Sequence, residues 1–565
     1  MASGKDVDEK KEITQSEKSS LIMYLDVIVM FLRSIVICNL VFTSSWLAQS
    51  CPSLCTCFNG VQVFCSSDKI IQIPTDIPVN ATHLMFLDTK ISFLNDSSFT
   101  RYNSLKKLLF VSNALHFIQE TAFNGLPHLT DLEISASPLS MIEPGTFNEL
   151  NELQKLTITH NPIKDLPCNL LERTTKLEVL ALQGNNISQI CVSLFSQLKN
   201  LRELNLGANE LAILHADSFN QLQNLSVLKL NNNNISQIKP GIFDKLGDLT
   251  ELSLDGNRIG RIFRYTFEKL TSLKKLSLVK NSIKELHSDV FLKLCNLRWL
   301  AIEGNQIATL SDGIFAGLHN LANLLVGGNQ LETIPKGIFS NLENLETLVL
   351  SYNKIQTLED GAFEGLTSLT HLYLDNNNIT AIDENIFKTL TSLLVISLHH
   401  NSLTMLPEGI FDPLYSLISL ILHNNPWWCD CSFSHFLVWI KENREMTQIS
   451  EIICNGPEHH QGKSINDLKI RELECPAINT VPQNPSFRMQ ETAFINGPGT
   501  EGSICKSYSI SNGSFIISCD LMVCSRISVQ VSTMEESSTR TSNHIYHKGD
   551  SQCGTTNLKF TITVT

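Results

Sequence analysis

Four histidines, His371, His399, His400 and His423, fall close together near the C-terminal end of a long repetitive segment. Imidazole is a common ligand for transition metals and a common general base, so such a group must be weighed first. Here all four fall on concave positions of the last three repeats that the periodicity below defines. Polar surface is the plainer reading, and no metal site or cofactor is assigned. Gly456-Pro457-Glu458-His459-His460-Gln461-Gly462-Lys463-Ser464 looks like a phosphate loop. It has five spacers where that loop has four, and it sits among cysteines rather than between a parallel strand and a helix. H-x-x-E, H-E-x-x-H and G-x-S-x-G patterns do not occur. The chain is therefore read as non-catalytic. What remains is cysteine chemistry and glycan attachment, at Asn80, Asn95, Asn186, Asn224, Asn234, Asn378 and Asn512, each the first residue of an N-x-S/T sequence.

The elements that carry these residues follow from length and period. At 565 residues the chain exceeds one compact core, so it is either several domains or a repeat array. Charged residues make up 18% and aliphatic residues are plentiful, which argues against a wholly disordered chain, and a formal net charge of −13 with no basic block argues against broad phosphate-backbone binding. Residues 1–50 read as a leader. Met30–Ser50 forms a signal peptide, with Arg33 as the basic start, Ile35–Phe42 as the apolar core, and Ala48 and Ser50 as the small residues before Cys51. Residues 1–29 are read as an upstream extension. No later stretch reaches the roughly 18 apolar residues of a membrane helix. A secreted protein in a disulfide-permitting compartment is expected.

From residue 81 to 425 a 24-residue period runs without a slip. Asparagine stands at Asn113, Asn161, Asn185, Asn209 and every 24 residues to Asn425, with Ser137 the miss inside that run and Thr89 in the slot before it. Phenylalanine follows a second grid from Phe99 to Phe411, missed at Leu171. Between them runs L-x-x-L-x-L-x-x-N, as in Leu225, Leu228, Leu230, Asn233. A short strand in each unit turns its leucines inward and its intervening residues outward. Asparagine, with both a donor and an acceptor, pairs backbone groups where the strand ends. Phenylalanine fills the wider outer arc. The chain is thereby identified as a member of the leucine-rich repeat solenoids: an α/β repeat fold of about fifteen coils with a parallel sheet on its concave face.

Both ends are capped by cysteines: Cys51, Cys55, Cys57 and Cys65 before the first coil, and Asn425-Pro426-Trp427-Trp428-Cys429-Asp430-Cys431 with Trp439, Cys454 and Cys475 after the last. The caps span residues 51–80 and 426–476. Resemblance to extracellular leucine-rich repeat caps implies the pairs Cys51–Cys57, Cys55–Cys65, Cys429–Cys454 and Cys431–Cys475, in preference to zinc. Cys168 and Cys191 hold nearly equivalent places in adjacent coils, and a bridge is expected. Cys295 is expected to be a buried thiol. Residues 477–503, with Pro482, Pro485 and Pro498, read as a linker. Residues 504–565 read as a small β-rich module tied by Cys505, Cys519, Cys524 and Cys553, whose three pairings stay open.

Counting four back from each ladder asparagine gives Ala301, Leu325, Val349, Tyr373, Ser397 and Ile421, with Trp299 and Tyr352 beside them. A contiguous apolar stripe on a concave sheet marks a protein contact. A smaller stripe, Met85, Leu87, Leu109 and Val111, either packs under the N-terminal cap or faces out. Glu203, Glu251, Asp255 and Glu303 place negative charge between the stripes.

The whole pattern resembles the non-catalytic, glycosylated subunits of carboxypeptidase N over residues 51–565. The residues that carry the likeness are Cys51-Pro52-x-x-Cys55-x-Cys57-Phe58, Leu406-Pro407-Glu408-Gly409-Ile410-Phe411-Asp412, Asn425-Pro426-Trp427-x-Cys429-Asp430-Cys431, the lone Cys295 and the four-cysteine tail. That resemblance implies a secreted plasma scaffold that binds and stabilises a zinc carboxypeptidase catalytic subunit. The rival expectation is a pericellular adhesion or receptor-like protein with another protein ligand.

Overall fold

The computed structural model describes residues 51–473, except 97 and 444–446, and the backbone of strands between residues 504 and 563. The segments read as a leader with a signal peptide and as a linker, together with Cys475, Asn512, Cys524 and Cys553, lie outside the described residues. The chain forms two units, Met1–Cys475 and Pro476–Thr565.

The first unit is a β-solenoid built on an 18-stranded sheet. Fifteen of its strands come from the repeats, from His83–Leu87 to Ser419–Ile421. Each pairs in parallel with the strand one coil later, so that Leu204 faces Leu228, Leu252 faces Leu276, and Leu324 faces Leu348. The register equals the sequence period, and each leucine column is fully buried.

Where each strand ends, the asparagine ties two adjacent coils together. Asn257 Nδ2 donates to Leu230 O at 2.9 Å and Leu254 O at 3.0 Å, while its Oδ1 accepts from Ile235 N–H at 3.0 Å. Leaving such buried backbone groups unpaired would cost about 1–3 kcal/mol each, which explains why the slot tolerates so few residue types. The residue just before the asparagine adopts a left-handed conformation in coil after coil. Gly256, Gly304 and Gly328 do so without strain, and Lys280, Tyr352 and His400 do so at φ of 52°, 55° and 52°. An exposed side chain is thus held at a backbone angle most residues avoid, because the ladder bonds on both sides leave no alternative.

On the convex side the phenylalanines form a stacked column. Phe219, Phe243, Phe267 and Phe291 follow one another at centroid separations of 6.4 to 6.5 Å with near-parallel rings, all fully buried. Burial of each ring contributes on the order of 2–3 kcal/mol.

The N-terminal cap is an antiparallel hairpin, Cys55–Phe58 with Gln62–Cys65, bonded by Cys51–Cys57 and Cys55–Cys65. Its second strand pairs in parallel with His83–Leu87 and so closes the sheet edge. The C-terminal cap lays Gln448–Ile449 beside Ser419–Ile421 and covers the spine with the helix Ser434–Asn443. Phe411, the last spine ring, lies 5.7 Å from Phe436 and 5.4 Å from Trp439. Trp427 is buried and its Nε1 donates to Leu422 O at 3.0 Å. Cys429 is bonded to Cys454, and Cys431 is also disulfide-bonded.

The phosphate-loop lookalike is cap structure. A Cβ at Gly456 would come within 2.3 Å of the Trp428 ring, and Gly462 has φ of 79°, so both glycines answer to packing and turning. Cys295 corrects an expectation: it is exposed, not buried. It occupies the turn ten residues before a ladder asparagine, where Lys199, Gln223, Thr271, His319 and Tyr415 are exposed in other coils.

In the second unit, Ile504–Ile510, Ser514–Val523 and Gly554–Thr563 form an antiparallel sheet, and Ile527–Glu535 pairs with Ser538–Tyr546 as a hairpin. Cys505 stands opposite Cys519 in that ladder.

Candidate protein-binding surface

Two rows of side chains face out from the concave sheet, six and four residues before each ladder asparagine, because the leucine between them points inward. At the C-terminal end the first row reads Trp299, Asn323, Thr347, His371, Val395 and Ser419, and the second Ala301, Leu325, Val349, Tyr373, Ser397 and Ile421. Trp299 is exposed, and Leu325, Val349, Tyr373 and Ile421 are half-buried. Adjacent strands hold Leu325 against Val349 and Val349 against Tyr373 in register. Ala301 and Ser397 are buried at 3% and 1%, so the stripe is narrower at those coils than a sequence count makes it. Val395, half-buried beside His371, joins the surface through its register and was not singled out from sequence. Tyr352 is 65% exposed, lifted clear by its left-handed backbone. An apolar strip with aromatic members at one end of a concave sheet has the composition of a protein-binding centre.

The smaller stripe also faces outward. Met85 is 38% exposed and lies in register with Phe64 of the cap hairpin, which lengthens the stripe rather than covering it. Leu87, Leu109 and Val111 are half-buried. A further patch on the flank, Phe93 stacked on Phe117 at 5.5 Å with exposed Met141 one coil on, follows the 24-residue grid four places after the ladder slot.

The middle of the face is charge-paired rather than simply acidic. Lys229 Nζ lies 3.5 Å from Glu203, and Lys275 Nζ lies 3.2 Å from Glu251. Asp255 accepts from Ser253 Oγ at 3.0 Å, from Ser277 Oγ and from Val279 N–H at 2.8 Å. Burial, and after it the Asp255 charge, raises the Glu303 carboxyl above its ordinary range.

The histidines divide. His371 stacks beside Tyr373 at 6.3 Å. His399, His400 and His423 come together at the end of the face, with the His399 and His423 rings 4.6 Å apart. Burial lowers the His399 pKa; the neighbouring Asp375 carboxylate opposes that, and His423 and His400 add to it.

Asn80, Asn95, Asn224 and Asn378 are exposed and Asn186 and Asn234 half-buried. Asn186 and Asn234 directly follow ladder asparagines, off the outward rows.

A curved parallel sheet with outward rows of this kind, closed by disulfide caps, defines a solenoid binding protein. Leucine-rich repeats match residues 103–163, 175–235, 208–259, 223–283, 271–331, 319–379 and 368–426, and the chain belongs to that family. It is similar to mouse carboxypeptidase N subunit 2, 36% identical over 121 residues, 20% of this chain and 22% of that protein. It is also similar to the human leucine-rich repeat transmembrane protein FLRT2, 35% identical over 63 residues, 11% of this chain and 9% of that protein. The matched segments thus span about a fifth or less of these relatives' length. Among solved structures, the TLR13–ssRNA13 complex superposes with a TM-score of 0.55 at 26% identity, covering 68% of this chain and 59% of that one. Disulfides fit an oxidising compartment. Among the described residues, no helix is long and apolar enough to cross a membrane.

Proposed function

We propose that the chain is a secreted, N-glycosylated, non-catalytic scaffold whose concave face holds a protein, and that this partner is a carboxypeptidase N-type zinc carboxypeptidase catalytic subunit in plasma. The observation that carries the reading is the apolar strip from Trp299 through Leu325, Val349 and Tyr373 to Ile421, with Tyr352 beside it. Similarity to carboxypeptidase N subunit 2 supports the choice of partner. The disulfide set is read as Cys51, Cys55, Cys57, Cys65, Cys168, Cys191, Cys429, Cys431, Cys454 and Cys475, with the tail cysteines bonded among themselves.

The test is co-expression with a carboxypeptidase N catalytic chain and capture through a tag on the solenoid. Co-purification at micromolar concentration is expected. Failure to co-purify sinks this partner; capture of a cell-surface ectodomain in its place favours an adhesion or receptor-like role.

A further inference from the structure

We propose that His399, His400 and His423 form a binding site for a divalent transition-metal ion of the zinc class. His399 and His423 occupy the same slot, two residues before ladder asparagines Asn401 and Asn425, so the 24-residue register sets them side by side. His400 follows on its left-handed backbone, 5.1 Å from the His399 ring and 5.7 Å from the His423 ring, edge-on to both. One ring nitrogen from each lies within 4.8 Å of the other two. Three imidazoles around a zinc ion at about 2.0–2.1 Å would bring those nitrogens to about 3.3 Å of one another. Side-chain rotation closes that difference, since His400 is exposed and His423 half-buried.

The surroundings favour a cation bound through nitrogen. Ser397 Oγ lies 2.7 Å from His399 Nδ1 and orients the ring, which leaves Nε2 as the ligand atom. That Nε2 lies 4.0 Å from the carboxylate of Asp375, which holds the same slot one coil earlier. On the other side, Glu451 lines the same groove as His423, an open hollow of about 450 Å³ against the C-terminal cap. Asp375 thus lies beside His399 and Glu451 shares the hollow with His423, and among the described residues no lysine or arginine lines that groove. Imidazole donors select zinc, copper or nickel over magnesium and calcium, which require oxygen. Three protein ligands leave a fourth position open toward the concave face for water or a carboxylate.

The experiment uses the full secreted chain, purified without a histidine tag, stripped with a chelator and titrated calorimetrically with zinc chloride and with magnesium chloride. Micromolar or tighter zinc binding is expected, with no magnesium binding. His399→Ala with His423→Ala should weaken zinc binding about tenfold or more, while His371→Ala, on the same face outside the trio, leaves it unchanged. Cobalt(II) should give the visible absorption of a low-symmetry nitrogen site, lost in the double variant. If the double variant is poorly secreted, His400→Ala, at an exposed position, replaces it. Equal zinc affinity in wild type and variants, or no micromolar binding by wild type, overturns the proposal.

Discussion

Cys168 and Cys191 are joined across adjacent coils, with Cα atoms 5.4 Å apart, where the regular repeat is weakest. Leu171 takes the spine slot there, and the Oδ1 of the next ladder residue, Asn185, has no hydrogen-bond partner although it is buried. Pro162 immediately follows the preceding ladder residue, and the family match breaks between residues 163 and 175. Each defect removes an inter-coil contact that neighbouring coils possess, and the disulfide supplies a covalent one.

Replacing both cysteines by alanine should therefore destabilise the chain by about 3 kcal/mol, the loop-closure effect of a bridge spanning 23 residues. Because long repeat arrays do not unfold in one step, the measurement is amide hydrogen exchange by segment. Protection should fall over residues 161–210 and hold near the caps; a uniform fall would show that the bridge has no local role.

The same irregularity separates two asparagines that are identical by pattern. Asn257→Ala removes one of two amide donors from Leu230 O and from Leu254 O, which keep Asn233 and Asn281, and leaves Ile235 N–H without its acceptor, so it should cost about 1–3 kcal/mol. Asn185→Ala loses the bonds to Ile158 O and Leu182 O but no bond to Oδ1, and should cost less. Denaturant midpoints of the two variants, compared in one background, check the order.

Most of the fold was legible because the stacking register equals the sequence period: a residue and its counterpart 24 places on must touch, so the Asn and Phe grids read directly as a ladder and a spine. The exposure of Cys295 was equally readable, since its slot is a turn in the other coils; it was missed by judging the residue type rather than the position. The narrowing of the stripe at Ala301 and Ser397 was not readable, because small side chains sink between longer neighbours whose rotamers the period does not specify. Nor did the period reveal that His400 would meet His399 and His423, which depends on the left-handed turn before Asn401.

Glu303 provides a pH test. Its folded pKa is raised, chiefly by burial and secondarily by Asp255, so the folded state holds that proton more tightly than the unfolded chain. Stability from this group is present below the ordinary glutamate range and is lost as pH rises through the raised value. Glu303→Gln should be more stable than wild type at neutral pH, and the gap should close on acidification to below that range. Melting temperatures of both proteins across that interval decide it, and a gap independent of pH would assign the gain to something other than ionisation.

The binding surface is tested by charge. Leu325 and Tyr373 lie two coils apart with Val349 between them, each half-buried with its outer face in the concavity, so an aspartate at either place can reach water in the free protein. In a complex that covers the strip the same carboxylates would be desolvated without partners, at a cost of several kcal/mol in total. Leu325→Asp with Tyr373→Asp should therefore abolish capture of the catalytic chain while secretion and thermal stability stay near wild type. Met85→Asp, on the separate N-terminal stripe, should leave capture intact. If the two results are exchanged, the partner sits against the N-terminal cap; if neither substitution matters, neither apolar stripe is the interface, whichever protein is bound.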